Sequence, residues 1–285
     1  MLPSAFDYVA PSSLDEAIEA LASDPEARVL AGGQSLIPLL KLRLARPGRL
    51  VDLRKLEALS YVREEDGGLA IGGMTPHAEV AGSPLLAGAA RAVAEAAAAV
   101  GDPQVRNRGT FGGSLAHADP SADLPAAVLA MGGTLVARGP EGEREIPAGD
   151  FFLAPWTTAL RPDEILTGAR LPVPAGSGGA YVKLEQRASG FALVGVAAVL
   201  ELEGGVVRRA RLAVTGAGNR PVRLEGAEEA LAGVDAADEG AVREACRDAG
   251  SAVESPQEDL HGSAAYRRAM TGVMAARAVL RAAAR

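Results

Sequence analysis

The sequence predicts a mixed α and β fold built in at least two parts. Three observations carry that expectation. The chain has 285 residues, more than one small core usually serves. Helical and strand-like periodicities alternate along its length. A stretch with two prolines and three glycines, LPVPAGSGGA at 171–180, breaks the pattern and reads as a linker.

The elements follow in order. SLDEAIEALA opens on a capping box, Ser13 to Glu16, and Leu14, Ala17, Ile18 and Leu21 then form one apolar helical face. Arg28–Leu30 reads as a short strand running into a glycine turn. A helix follows, with Ser35 as cap, Pro38 in the first turn, and Leu36, Leu39, Leu40 and Leu44 as its buried face. RLVDL (49–53) and GLAIGG (68–73) have strand character. SPLLAGAARAVAEAAAAVG reads as a helix capped by Ser83, with Pro84 at its first position and Gly101 as terminator. LPAAVLAMGGTLVAR predicts a short helix and then a strand. ALVGVAAVLELEGGVVRRARLAVTG predicts a hairpin turning at Gly204–Gly205. A last helix spans about 263–282.

Composition excludes several functions. Net charge is −7, from 29 basic and 36 acidic residues, so neither nucleic acid nor an anionic membrane is expected as the main partner. Cys246 is the only cysteine, which rules out a disulfide framework and an iron–sulfur cluster held by this chain. His77, His117 and His261 are spaced unlike metal ligands. Neither a leader nor a membrane span is read, and a soluble cytoplasmic protein is expected.

Two glycine loops carry the chemistry. AGGQSL (31–36) joins a strand to a helix, and GTFGGS (109–114) offers adjacent glycines and two hydroxyls. Amide N–H groups at such turns attract anions, and glycine lets phosphate oxygens approach the backbone. Two such loops could grip a pyrophosphate without lysine. Taken singly, each is better explained by chain geometry. Neither is a Rossmann fingerprint or a P-loop. Asp123 reads equally as a helix cap or a ligand, Lys183 as a solvated strand residue, and Trp156 as core.

Together these residues resemble a known family. VLAGGQSLIPLLKLRLARPGRLVDL (29–53) and VGDPQVRNRGTFGGSLAHADPSADLP (100–125) are similar to the FAD-binding medium subunit of the molybdenum hydroxylases, the group of aerobic carbon-monoxide dehydrogenase and xanthine dehydrogenase. IGGMTPHAEV, AGDFFL and GGAYVKLEQRASGFALVGVAAVL extend the resemblance over nearly the whole chain. It implies an α+β fold: a vanillyl-alcohol-oxidase-type FAD-binding domain at 1–174, in subdomains of about 1–56 and 57–174, and a smaller α+β domain at 175–285.

It also implies site residues. Val29, Leu30, Ala31, Gly32, Gly33, Gln34, Ser35 and Leu36, with Gly109, Thr110, Phe111, Gly112, Gly113 and Ser114, would line the diphosphate. Val100 would sit against the flavin, Leu166 would pack on the isoalloxazine, Lys183 would lie near the polar edge of the ring, and Asp123 would accept from a sugar hydroxyl. Phe111 stands where a smaller aliphatic residue is common in the family. The function implied is electron transfer: FAD takes electrons from [2Fe–2S] centres and passes them to an external acceptor, with no catalytic side chain. The partners implied are a large molybdenum-cofactor subunit and a small [2Fe–2S] subunit, in a dimer of heterotrimers. The alternative is a stand-alone flavin oxidase of the same superfold, for which only ~100 residues after the linker are left to build a substrate pocket.

Overall fold

The structure, a computed structural model, describes residues 2–284. It opens on a small parallel sheet. Strands β1 (Asp7–Val9) and β2 (Arg28–Leu30) flank β3 (Arg49–Asp52), each parallel to it. Helix α1 (Leu14–Ala22) and helix α2 (Leu36–Lys41) supply the crossovers. Ser13 caps α1 by accepting from the Glu16 N–H at 3.2 Å, and the Glu16 carboxylate reaches back to the Ser12 N–H. The capping box is thus displaced by one residue. Ser35 stands at the cap of α2 with no side-chain hydrogen bond, so the expected cap is not made. Leu44 is also not part of a buried face: Arg43 is left-handed (φ 59°), the helix has ended, and Leu44 is exposed.

The middle of the chain builds an antiparallel sheet in the order β4-β5-β10-β6-β7. Its strands are β4 (Val62–Glu65), β5 (Gly68–Gly72), β6 (Thr134–Gly139), β7 (Gly142–Pro147) and β10 (Ile165–Pro172). Between β5 and β6 run α3 (His77–Gly82), α4 (Arg91–Ala98), α5 (Pro103–Arg106), α6 (Phe111–His117) and α7 (Asp123–Met131). After β7 come α8 (Ala148–Phe151) and a hairpin of β8 (Phe152–Ala154) and β9 (Thr157–Thr158). The helix expected to start at Ser83 starts at Arg91. Ser83 ends α3, and Gly88 turns left-handed (φ 55°) before the new helix can form. Trp156 is exposed rather than core.

The last part is an antiparallel sheet of β11 (Ser177–Glu185), β12 (Ala192–Glu203), β13 (Val206–Thr215) and β14 (Val222–Arg223). Helices α9 (Glu225–Leu231), α10 (Glu239–Cys246) and α11 (Ala264–Ala283) cover it. The proline- and glycine-rich linker shrinks to 173–176, because β10 runs through Pro172 and β11 starts at Ser177. Strand β12 reads as one apolar run because both its faces are buried. One face packs with α4 and α7, where Ala197 and Val199 join the core of Phe111, Leu115, Leu124 and Leu135. The other packs on α11, where Val196, Ala198 and Leu200 meet Ala275, Ala278 and Val279.

Polar bonds lock this seam. Arg91 donates to the Gly179 carbonyl at 3.1 Å. Glu95 accepts from the Tyr181 N–H at 2.8 Å and from Arg281 at 2.9 Å. Gly179 is needed for contact: a Cβ there would sit 2.7 Å from the carbonyl carbon of Ala89 and 3.0 Å from its Cα. We therefore expect Gly179→Ala to cost about 1–3 kcal/mol in urea unfolding, as overpacking does. An unchanged midpoint would show that the seam is not close-packed at that strand.

Candidate functional site

The two glycine loops meet. A Cβ at Gly32 would fall on the Arg108 carbonyl oxygen and lie 2.6 Å from Gly109 Cα. The first loop thus rests its backbone on the second. Gly33 follows with φ 76°, a conformation that side chains disfavour. Its turn presents a row of amides: among the described residues no acceptor takes the N–H of Gly32, Gly33, Gln34 or Ser35. All four residues retain exposure. Unsatisfied donors on an accessible turn, without a lysine, form a cradle for an anion.

The second loop is spent differently. The Phe111 N–H donates to Thr75 O and the Gly112 N–H to Gly73 O, both at 2.9 Å. Thr110 Oγ1 accepts from the Gly113 N–H at 3.1 Å and caps α6. A Cβ at Gly112 would lie 2.7 Å from Gly73 Cα, and one at Gly113 would lie 2.7 Å from Thr110 Oγ1. What approaches this glycine-rich stretch most closely is the protein's own backbone. Its adjacent glycine amides, expected from the sequence as anion donors, already have acceptors. The loop's free polar groups are hydroxyls: Thr110 keeps its proton for donation, and the Ser114 hydroxyl makes no bond to another described residue. Phe111 points into the core, fully buried, so its bulk is absorbed there.

Leu166 joins this cluster through its backbone. Its carbonyl oxygen abuts Gly73, at a bulge where the β10–β6 register shifts between Leu166 and Gly168.

A second cluster forms at the start of α7. Lys183 Nζ donates to Ala99 O at 2.6 Å and to Gly190 O at 2.7 Å, and pairs with Asp123 Oδ1 at 3.1 Å. Tyr181 donates its hydroxyl proton to Asp123 Oδ1 at 2.6 Å. Lys183 and Asp123 side chains are both buried, so the solvated-strand reading of Lys183 fails. Asp123 is not a cap either: it is the first residue of α7, whose N-cap, Ala122, makes no side-chain bond. Burial lifts the Asp123 carboxyl to about 6, against the lowering pull of Lys183 and the Tyr181 hydroxyl. Burial, with Asp123 second, pushes the Tyr181 phenol well above its ordinary range.

Val100 sits beside this cluster. Lys183 holds the carbonyl before it, and Arg106 donates to the Val100 and Gly101 carbonyls at 3.0 and 2.9 Å. Sequence reasoning missed Tyr181, Gly73 and Arg106, whose partners lie far along the chain. Cys246 is buried, and burial raises its thiol to about 12, so it is chemically inert at neutral pH.

The pH prediction follows from Asp123. Below about pH 4 the carboxyl is protonated in both folded and unfolded chains. Between pH 4 and 6 the unfolded chain has released that proton while the folded chain keeps it. Asp123 therefore favours folding below pH 4, and this contribution fades as pH rises through 6. Relative to Asp123→Asn, the wild type should lose about 2 kcal/mol of unfolding free energy from pH 4 to pH 7. A gap independent of pH in urea titrations would contradict this environment for Asp123.

The comparisons agree with the architecture. Residues 4–174 match the family described as FAD binding domain in molybdopterin dehydrogenase. Residues 179–282 match the CO dehydrogenase flavoprotein C-terminal domain. The chain is 40% identical to the carbon monoxide dehydrogenase medium chain of Hydrogenophaga pseudoflava, covering 98% of this chain and 97% of that one. It is 41% identical to the counterpart from Afipia carboxidovorans, over 100% and 99%. A solved carbon monoxide dehydrogenase from Hydrogenophaga pseudoflava superposes with a TM-score of 0.93 at 42% identity, over 99% and 98% of the two chains.

Proposed function

The chain belongs to the family of FAD-binding domains of molybdopterin dehydrogenases, and on that premise we propose that it is the FAD-bearing electron-transfer subunit of a molybdenum hydroxylase complex, most like the carbon-monoxide dehydrogenase medium chain. The observation that carries this reading is the accessible row of amides from Gly32 to Ser35, free of protein acceptors and backed by the second glycine loop. When bound, FAD would supply the redox chemistry, and the protein would position it.

The chain's own residues bind and orient. The amides of Gly32, Gly33, Gln34 and Ser35 would hold the diphosphate, with the Thr110 and Ser114 hydroxyls donating from the other side. Val29, Leu30, Ala31 and Leu36 shape the first loop, while Phe111, Gly112 and Gly113 fix the second. Val100 and Leu166 would border the ring. Lys183 and Asp123 set the polar end by holding the 99–101 and 186–190 segments together, and the Asp123 oxygens would extend the same network to a sugar hydroxyl.

On this reading electrons come from another chain, because one cysteine cannot ligate a cluster. The reading therefore includes a small [2Fe–2S] subunit, a large molybdenum subunit that oxidises the substrate, and an external acceptor. A dimer of heterotrimers is the expected assembly. The C-terminal sheet weighs against a self-contained oxidase, since β12 commits both faces to packing.

Two measurements test the reading. The FAD-loaded chain alone should show flavin absorbance that neither carbon monoxide, an aldehyde nor an N-heterocycle bleaches. Co-expressed with the large and small subunits, it should form a stable complex whose flavin is bleached by that complex's substrate. Flavin reduction by the isolated chain at the rate of the complex would overturn the subunit reading in favour of an oxidase. In parallel, Gly33→Val should abolish flavin retention while leaving the circular dichroism spectrum intact, because its backbone is left-handed (φ 76°). Full flavin occupancy in that variant would remove the first loop from the site.

A further inference from the structure

Behind the glycine loops lies a buried imidazole that the proposed chemistry does not use. His77 opens α3 and is only 4% exposed. Its backbone N–H donates to the Gly109 carbonyl at 2.9 Å, and the flanking Pro76 and Thr110 form an antiparallel bridge. Its ring lies flush on the turn: a Cβ at Gly109 would stand 2.8 Å from His77 Cδ2 and 3.0 Å from Nε2. The first loop also meets Gly109, with Gly32 packed onto its Cα. Gly109 thus touches both the imidazole and Gly32. Nδ1 is buried and makes no hydrogen bond among the described residues.

We propose that His77 is a positioning residue of the flavin site, whose ring, wedged against the Gly109 turn, sets the distance at which the second glycine loop supports the first. The inference rests on the FAD reading above. Nothing between the ring and Gly32 can take up slack, because Gly109 has no side chain and its neighbours are pinned. The Gly109, Phe111 and Gly112 amides are bonded to Val105, Thr75 and Gly73, and the imidazole fills the space beside Gly109. A smaller side chain at 77 would let Gly109 retreat and withdraw the platform under Gly32. Burial, aided by Arg106, lowers the imidazole to about 4, so the wedge is uncharged across the neutral range. An uncharged ring can act here through its shape, whereas a role for its nitrogens would need a hydrogen-bond partner.

That distinction gives the test. Apo wild type, His77→Ala, His77→Phe and His77→Gln are titrated with FAD at pH 7.5, following quenching of flavin fluorescence, and the melting temperature of each apo chain is recorded. His77→Ala should bind FAD at least tenfold more weakly at a temperature where it remains folded. His77→Phe, which keeps a flat ring but no nitrogen, should bind within threefold of wild type. His77→Gln, which keeps polarity but no ring, should fall with the alanine variant. Equal affinity in His77→Ala and wild type would overturn the proposal. So would a loss in His77→Phe matching that in His77→Ala, since the nitrogens would then be what matters. If the wild type itself binds no FAD, the flavin reading fails and takes this inference with it.

Discussion

The contact on which the site depends is backbone against backbone, where two glycine-bearing turns and the end of a strand touch. Gly32 rests on Gly109, and Gly112 rests on Gly73. No side chain could be inserted at either place without prising the segments apart. Because these contacts are made without side chains, they bring the accessible amides of the first loop to a fixed position over a rigid support. The support is rigid because its own amides are bonded inward, to Gly73, Thr75 and Thr110. The cost of glycine in an ordered chain is accepted twice here: once for close approach and once, at Gly33, for a left-handed turn.

The polar end of the site is built on a different principle. A buried ammonium and carboxylate are stabilised only when their remaining hydrogen-bonding capacity is met. Lys183 meets its own with two carbonyls besides Asp123, and Asp123 adds the Tyr181 hydroxyl. Those bonds join α4, α7 and β11, so the same group that borders the proposed flavin site ties the middle of the chain to its last sheet.

Much of this was legible in the sequence. Strand β2, the β12–β13 hairpin at Gly204–Gly205 and the last helix follow from local pattern: a short apolar strand ends in a glycine turn, two β-rich runs flank a Gly-Gly turn, and the last helix is capped by Ser263. The errors arose where one backbone conformation overrode that pattern. Ser83 and Pro84 carry the signature of a helix start, yet the left-handed Gly88 delays the helix to Arg91. Leu44 keeps the apolar spacing of α2, but Arg43 has already turned the chain. At the site, the loops themselves were readable, since glycine and hydroxyl residues at strand–helix junctions have local causes. Their division of labour was not. It depends on the Phe111 amide against Thr75 and the Gly112 amide against Gly73, contacts across distant parts of the chain with no local signature.

The first loop would offer its amides to the ligand, whereas the second has already spent its own. Amide hydrogen exchange, resolved by residue in the apo chain and again with FAD, tests it directly. The amides of Gly32, Gly33, Gln34 and Ser35 should exchange quickly in the apo chain and become protected by FAD. Those of Gly112 and Gly113 should be protected in both states. Fast exchange at Gly112 and Gly113 that FAD alone suppresses, with no change at 32–35, would contradict it.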